Sequence, residues 1–370
     1  MIATKNDVLT SMDTTPSIFD RLDAMGHEQV VFCHDPNTGL RAIIGIHNTT
    51  LGPALGGTRF WNYAHEADAL QDVLRLSRGM TFKNAIAGLN IGGGKAVIIG
   101  DSRKDKNEML LRRFGKFVDG LNGRYITAED MGMTTEDMDF ISQETEYAAG
   151  IYEDEGGSGD PSPYTALGTY MGMKAAAQKA YGSDSLEGKK VAVQGAGHVG
   201  QYLIDHLIKE GCQVFVTDIY ESQLRAVTNK HANVQVVAPD EIYDIDMDIY
   251  APCAMGATIN DDTLSRLRCQ IIAGCANNQL EDEKRHGQLC LEKGIVYAPD
   301  FLINAGGVIN VFSEVAEKSN GWVVRKTENL YNQTLDVLDR AYAEGRNVQE
   351  IAMEIAMERI EASAKLQAVL

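Results

Sequence analysis

Residues 190–194 (Lys-Val-Ala-Val-Gln) read as a strand that passes straight into Gly195-Ala196-Gly197-His198-Val199-Gly200. Val199, Leu203, Ile204, Leu207 and Ile208 then recur at helical spacing, Gly211 stops the pattern, and a second apolar run, 212–217, ends at Asp218. Strand, glycine turn, helix, strand and terminal acid in that order restrict this half of the chain to a parallel α/β unit. Gly195 permits the tight turn, and Gly197 lets backbone amides reach a pyrophosphate at a helix N-terminus. Asp218 can accept hydrogen bonds from a ribose diol; Ile219 and Tyr220 follow it with no arginine or lysine for a 2′-phosphate, which favours NAD over NADP. The same residues also suit an ordinary glycine turn with Asp218 as a helix cap.

The alternation continues downstream. Segments 248–251, 270–274 and 295–298 are predicted strands, separated by helices near 262–268 and 281–292. Asn277 and the run Asn304-Ala305-Gly306-Gly307-Val308 follow such strands, at the carboxyl ends where open α/β sheets bind ligands. The tail from Lys326 is predicted helical, broken near Gly345-Arg346-Asn347.

Upstream, 28–33 and 40–47 are predicted to pair as a hairpin across Asp35-Pro36-Asn37-Thr38-Gly39. The stretch 51–59 reads as a loop too glycine-rich for a strand interior, and 66–77 as a helix. Lys83 follows that helical pattern, and Gly92, Gly93 and Gly94 then lead into Lys95 and the strand 95–100. The three glycines are expected to leave backbone space for something to approach. Lys95 is either a snorkelling lysine at a strand end or a desolvated general base, since burial drives an amine toward its neutral form. A helix over 107–120, a short strand over 124–127 that runs into Ala128-Glu129-Asp130, and a helix over 134–145 complete the first half. Asp130 suits a turn or cap as well as a catalytic carboxylate. Gly156-Gly157-Ser158-Gly159-Asp160-Pro161-Ser162-Pro163 punctuates the chain as a hinge before a helix over 165–179.

These features predict two α/β domains with a cleft between them. Residues 1–155, completed by a C-terminal helix over about 346–370, form one; residues 156–345 form a Rossmann-type doubly wound domain. The 370-residue length accommodates two cores. A net charge of −18 argues against nucleic acid and anionic membrane surfaces as partners. The six cysteines are scattered without a CxxC pair and read as buried free thiols, and the histidines lack metal-ligand spacing, so no metal is expected. No apolar run reads as a signal peptide or membrane span, which points to the cytoplasm. Residues before about Ser17 read as a loose extension.

With those residues in view, the chain is identified as a member of the glutamate/leucine/phenylalanine/valine dehydrogenase family. The resemblance rests on GMTFKN, LNIGGGKAVIIGD, TAEDMG, VQGAGHVG, APCAMGA, AGCANNQL and NAGGVINV in the expected order. It implies reversible oxidative deamination of an L-amino acid to a 2-oxo acid and ammonia, with hydride transfer to NAD, in a homo-oligomer. Carried onto matching positions, Lys83 binds the substrate α-carboxylate and Lys95 activates the attacking water. Asp130 exchanges protons with the amine and balances the two lysine charges. Thr165 meets the nicotinamide amide, Asn277 meets nicotinamide or substrate, and Gly195–Gly200 with Asp218 hold the rest of the dinucleotide. Arg59 is expected as a structural ion pair. The dinucleotide turn departs from the family pattern with Ala196 and His198 where relatives usually have leucine and asparagine.

Substrate choice follows from the same resemblance. Glutamate-specific members carry a lysine immediately before a Gly-Gly pair; here Leu55 precedes Gly56 and Gly57. Burying a carboxylate against leucine without a partner costs several kcal/mol, which excludes acidic substrates. Leu55, Ala128, Val308 and Val311 match pocket positions of branched-chain enzymes, although Val308 and Val311 suit plain helix–sheet packing equally well. Discrimination among branched side chains is worth about 1–3 kcal/mol per methylene, so leucine, isoleucine and valine are expected to overlap. The alternatives are an aromatic-preferring relative and a non-catalytic nucleotide sensor.

Overall fold

Each half of the chain builds its own sheet. The computed structural model describes residues 17–368, so the expected loose extension over residues 1–16 lies outside the described residues. Ser17 caps a short helix, α1 (Ile18–Met25), through a capping box with Asp20. β1 (Gln29–Asp35) and β2 (Leu40–Asn48) then pair antiparallel as the predicted hairpin, with Gly39 at φ 76° in its turn.

The next segment overturns an expectation. Residues 51–59 do not form a loop: Ala54–Trp61 is a strand, β3, in the interior of the sheet. Its glycines are there because the neighbouring strands crowd it. A Cβ at Gly56 would lie 1.8 Å from the Gly94 carbonyl oxygen, and one at Gly57 would lie 2.3 Å from that of Glu129. Glycine here answers a lack of room, which outweighs its weak strand propensity.

The helix α2 (Glu66–Ile86) runs nine residues beyond the predicted end at 77, so Lys83 lies in its last turn rather than after it. β4 (Gly92–Ile99) likewise begins at the glycines instead of after them. The space they leave is filled by the protein itself. A Cβ at Gly93 would meet Thr81 of α2 at 2.1 Å, one at Gly92 the Asn48 carbonyl at 2.2 Å, and one at Gly94 the Tyr125 ring at 2.8 Å. The side chain of Asn84 fastens α2 to β4 by donating to the Gly92 carbonyl at 2.6 Å. α3 (Glu108–Asp119, capped by Asn107), β5 (Tyr125–Glu129) and α4 (Thr135–Ser142, capped by Thr134) complete the unit. The strand order is β1-β2-β4-β3-β5, antiparallel on the β1 side and parallel among β4, β3 and β5.

Residues 156–161 then lead into α5 (Ser162–Tyr181). The second sheet follows through β6 (Lys190–Gln194), α6 (His198–Lys209), β7 (Gln213–Thr217), α7 (Glu221–Lys230) and β8 (Gln235–Val236). It continues through β9 (Ile249–Pro252), α8 (Asp261–Arg266), β10 (Ile271–Ile272), α9 (Glu283–Glu292) and β11 (Val296–Tyr297). All six strands are parallel in the order β11-β10-β9-β6-β7-β8, the doubly wound arrangement whose ligand crevice opens where the order reverses, between β6 and β9. Neither α7 nor the exposed two-residue β8 has a strong period in the sequence.

Five helices close the chain: α10 (Asp300–Ile303), α11 (Gly306–Val315), α12 (Asn320–Glu328), α13 (Leu330–Glu344) and α14 (Val348–Gln367). The expected break at Gly345 is present, with that residue at φ 62°. α14 touches both halves. Asn347 at its start donates to the Glu283 carbonyl at 2.9 Å, and Arg359 past its midpoint donates to the Leu89 carbonyl at 2.7 Å. The glycine-rich connection is held by α11, since Glu314 accepts from the amides of Gly150 and Ser158, each at 2.8 Å. One buried apolar cluster runs from Leu55 and Phe82 through Ala166 to Val191 and Ile271. No helix of the described residues is long and apolar enough to cross a membrane.

Candidate active site

The parallel strands β4, β3 and β5 bring Lys95, Arg59 and Asp130 to one place. Lys95 Nζ meets Asp130 Oδ1 at 2.8 Å, and Arg59 Nε donates to Asp130 Oδ2 at 2.9 Å. Arg59 Nη1 also reaches Asp72 Oδ2 of α2 at 2.9 Å, where the Tyr63 hydroxyl donates at 2.7 Å. Two cations and two carboxylates thus alternate, and Arg59 is the expected structural ion pair. Gly57 permits this closeness: its Cβ would sit 2.9 Å from Asp130 Cβ.

Lys95 is only 4 % exposed. Burial lowers its pKa from the ordinary lysine value, and Asp130 opposes that by stabilising the ammonium. Burial alone would raise the Asp130 carboxyl, but Lys95 and Arg59 hold it well below the usual carboxylate range. The site therefore rests as an ion pair whose amine loses its proton more readily than a solvated lysine.

Lys83 approaches from α2. Its Nζ donates to Asn277 Oδ1 at 3.1 Å, and Asn304 Nδ2 holds the same oxygen at 2.8 Å. Lys83 belongs to the first half of the chain and both asparagines to the second, so this chain of bonds links the two halves. Burial pushes the Lys83 pKa down to about 8; Asp300 raises it and Lys95 lowers it further. Asp300 is itself buried, accepting from the amides of Gln279 at 2.9 Å and Phe301 at 2.6 Å, and desolvation lifts its carboxyl to about 6.

The expected pocket positions fall into two groups. Leu55 is fully buried with Phe82 and Ile126, and Val308 and Val311, one turn apart on α11, pack against the same cluster from the other half. Ala128 is buried two residues beyond Ile126 on β5. Gly56 and Gly57 are needed for backbone approach within the sheet and have no side chain to offer a ligand.

At the switch point a crevice of about 680 Å³ is lined by Gly195, Gly197, Thr217, Asp218, Ile219, Tyr220, Cys253 and Ala254 among others. Gly195 sits at φ 110°, and a Cβ there would strike Ala254 at 2.7 Å, whereas one at Gly197 would meet open space. No side chain caps the first turn of α6, so its amides remain available to a phosphate. Asp218 accepts from the amides of Ala196 at 2.7 Å and Tyr220 at 2.8 Å, which fixes its carboxylate at the rim. These residues fit a dinucleotide. Not every residue expected to line the crevice does so. Ala196 is buried in the core, Val199 packs against that core, Gly200 abuts the Gly195 carbonyl, and His198 stands exposed as the first residue of α6. Thr165 lies in the first turn of α5 with its hydroxyl donating to the Pro161 carbonyl at 3.0 Å.

Sequence reasoning missed Asp72, Tyr63 and Asp300. Asp300 had a signal, since it follows Pro299 at the end of a predicted strand. Asp72 had none, because nothing in a helical pattern marks which solvated-looking acid faces an arginine thirteen residues earlier.

Two family models cover nearly all of the described chain. "Glu/Leu/Phe/Val dehydrogenase, dimerisation domain" matches residues 27–147, and "Glutamate/Leucine/Phenylalanine/Valine dehydrogenase" matches 156–220 and 215–367. A leucine dehydrogenase of Thermoactinomyces intermedius is 56% identical over 349 residues, 94% of this chain and 94% of the relative. Another from Bacillus subtilis (strain 168) is 56% identical over 93% of this chain and 94% of its own length. The crystal structure of L-tryptophan dehydrogenase from Nostoc punctiforme superposes with a TM-score of 0.81 at 45% identity, covering 94% of this chain and 99% of that one. Two sheets in this order, a lysine–aspartate pair on the first of them and matches along both halves place the chain in the Glu/Leu/Phe/Val dehydrogenase family.

Proposed function

We propose that this chain catalyses the reversible, NAD-dependent oxidative deamination of branched-chain L-amino acids (leucine, with valine and isoleucine) to 2-oxo acids and ammonia. The buried Lys95–Asp130 pair, with Lys83 held by Asn277 from the other half of the chain, carries this reading. Lys83 in its charged form binds the substrate α-carboxylate, whose charge in turn favours the ammonium. Lys95, once neutral, takes the proton of the water that attacks the iminium carbon. Asp130 exchanges protons with the amine and keeps the two lysine charges compatible. When bound, the nicotinamide accepts hydride from the substrate Cα. Gly195, Gly197 and the first turn of α6 hold the pyrophosphate and Asp218 the adenosine ribose; a 2′-phosphate beside that carboxylate meets like charge, which favours NAD. Thr165 and Asn277 stand for the nicotinamide end.

The apolar positions Leu55, Ala128, Val308 and Val311 give a carboxylate side chain no partner, which supports branched-chain over acidic substrates. The relatives at 56% identity are named leucine dehydrogenases, in keeping with this choice. Residues 1–155 with α14 serve as the substrate domain and 156–345 as the nucleotide domain. The model that describes residues 27–147 as a dimerisation domain supports a homo-oligomer.

The test is NADH formation at alkaline pH with leucine, valine, isoleucine, phenylalanine and tryptophan, run with NAD and with NADP. Leucine with NAD is expected to turn over fastest. Faster turnover of phenylalanine or tryptophan overturns the substrate choice, and tight NAD binding without turnover of any amino acid overturns the enzymatic reading.

A further inference from the structure

The register of the parallel sheet brings two cysteines together at the nucleotide crevice. β10 lies against β9 with Ile271 beside Ile249 and Ile272 beside Tyr250. Carried past the strand ends, that offset brings Cys275 to Cys253. The Cys275 Sγ donates to the Cys253 carbonyl oxygen at 3.8 Å, so the two residues are in direct contact. Neighbouring strands run roughly 4.8 Å apart, within the about 4.4–6.8 Å between Cα atoms that a disulfide spans.

The two sulfurs differ in setting. Cys253 is partly exposed and lines the crevice beside Ala254, against the Gly195 turn. Cys275 is buried behind it, and its carbonyl accepts from Asn304 Nδ2 at 3.1 Å. That same Nδ2 positions Asn277, the partner of Lys83. A change at the pair therefore reaches the dinucleotide turn on one side and the Lys83 chain on the other. The remaining cysteines, Cys33, Cys212, Cys269 and Cys290, are buried away from the crevice, and burial pushes each of their thiols up to about 12.

We propose that Cys253 and Cys275 form a dithiol modification site, which a hydroperoxide converts to an intramolecular disulfide that reversibly stops turnover. The Cys253 sulfur attacks one peroxide oxygen, the O–O bond breaks, and a sulfenic acid and one water (or alcohol) result. The Cys275 sulfur then displaces the hydroxyl as a second water, forming the S–S bond; the thiols give up two electrons and two protons, and the peroxide is reduced by two electrons. Dithiol reductants reverse the step by exchange.

The test treats the full-length protein with hydrogen peroxide. Expected are a mass loss of about 2 Da per chain, a non-reducing digest in which the peptides holding Cys253 and Cys275 are linked, a more than tenfold fall in turnover, and recovery with dithiothreitol. In Cys275→Ser the 2 Da loss and the linked peptide are expected to vanish. Inactivation without that linkage, linkage through other cysteines, or a linked pair that leaves turnover unchanged would each overturn the proposal. Should Cys275→Ser fail to fold, the wild-type digest decides alone. Linkage is read by mass without substrate, so its failure is distinguishable from failure of the proposed deamination, which the untreated control reports.

Discussion

Asp130→Asn keeps the shape of the carboxylate and removes its charge, so it tests whether Asp130 sets the proton affinity of Lys95. The two groups meet at 2.8 Å, and Lys95 is 4 % exposed. With charge centres about 4 Å apart and an effective dielectric near 20, the attraction is about 4 kcal/mol. The Asp130 side chain is 26% exposed, so solvent screening reduces this by roughly half, to about 2 kcal/mol or about 1.5 pH units. The sign follows from the direction already present. Burial lowers the Lys95 pKa while Asp130 supports it, so loss of the carboxylate lowers it further. Deamination needs the neutral amine, and the acid limb of kcat/KM is expected to move about 1.5 units toward lower pH. The plateau falls roughly 10²–10⁴-fold with the lost proton exchange. The assay is initial NADH formation from leucine across pH 6 to 11. An acid limb that stays where the wild type has it would refute the coupling, whatever the plateau. Stability gives a second readout. A lysine whose folded pKa lies below its unfolded value contributes fully above the unfolded value and loses that contribution as pH falls through the folded one. The urea midpoint of the variant is therefore expected to drop more steeply between pH 10 and 7.

Four further outcomes are expected. Lys95→Ala lowers kcat by at least about 10³-fold while NADH affinity, read by fluorescence titration, stays within about twofold; substantial residual turnover would mean the base is misassigned. Gly57→Ala, whose new methyl would lie 2.3 Å from the Glu129 carbonyl oxygen, costs about 2–4 kcal/mol in thermal or urea unfolding. His27 and His47 stack edge to face 4.8 Å apart, and burial lowers each to about 4. Their folded values lie below the unfolded 6.5, so the stability they confer is present above pH 6.5 and lost as pH falls toward 4, roughly 3 kcal/mol for His47; a variant His47→Gln with an unchanged acid limb in unfolding would contradict this. Asp218→Ala narrows the preference for NAD over NADP at least tenfold in kcat/KM, and an unchanged ratio would show that another group reads the ribose.

Features governed by neighbours in the chain were legible in the amino-acid sequence. The turn after β6, the hairpin of β1 and β2, the break at Gly345 and the helix starts near Asn107 and Thr134 each depend on backbone conformation within a few residues. Glycine was harder to read. Gly56, Gly57 and Gly92–Gly94 gave the same local signal as a flexible loop or a ligand cradle, and they proved to be the crowded interior of a sheet. Their meaning lies in what stands opposite, which is set by strand order. Charge was harder still. The full partner set of Arg59, the burial of Asp300 and the contact between Cys253 and Cys275 join residues that only the pairing of β3 with β5, or β9 with β10, brings together.

The amino-acid sequence by itself determined the kinds of element, the chemical groups available and, through motifs in a fixed order, the family to which they belong. Tertiary structure alone decided which of those groups lose their water and which charge faces which. Propensity and turn chemistry act over a few residues, whereas the proton affinity of Lys95 depends on Asp130 and Arg59, delivered by two other strands and held where solvent screens them only in part.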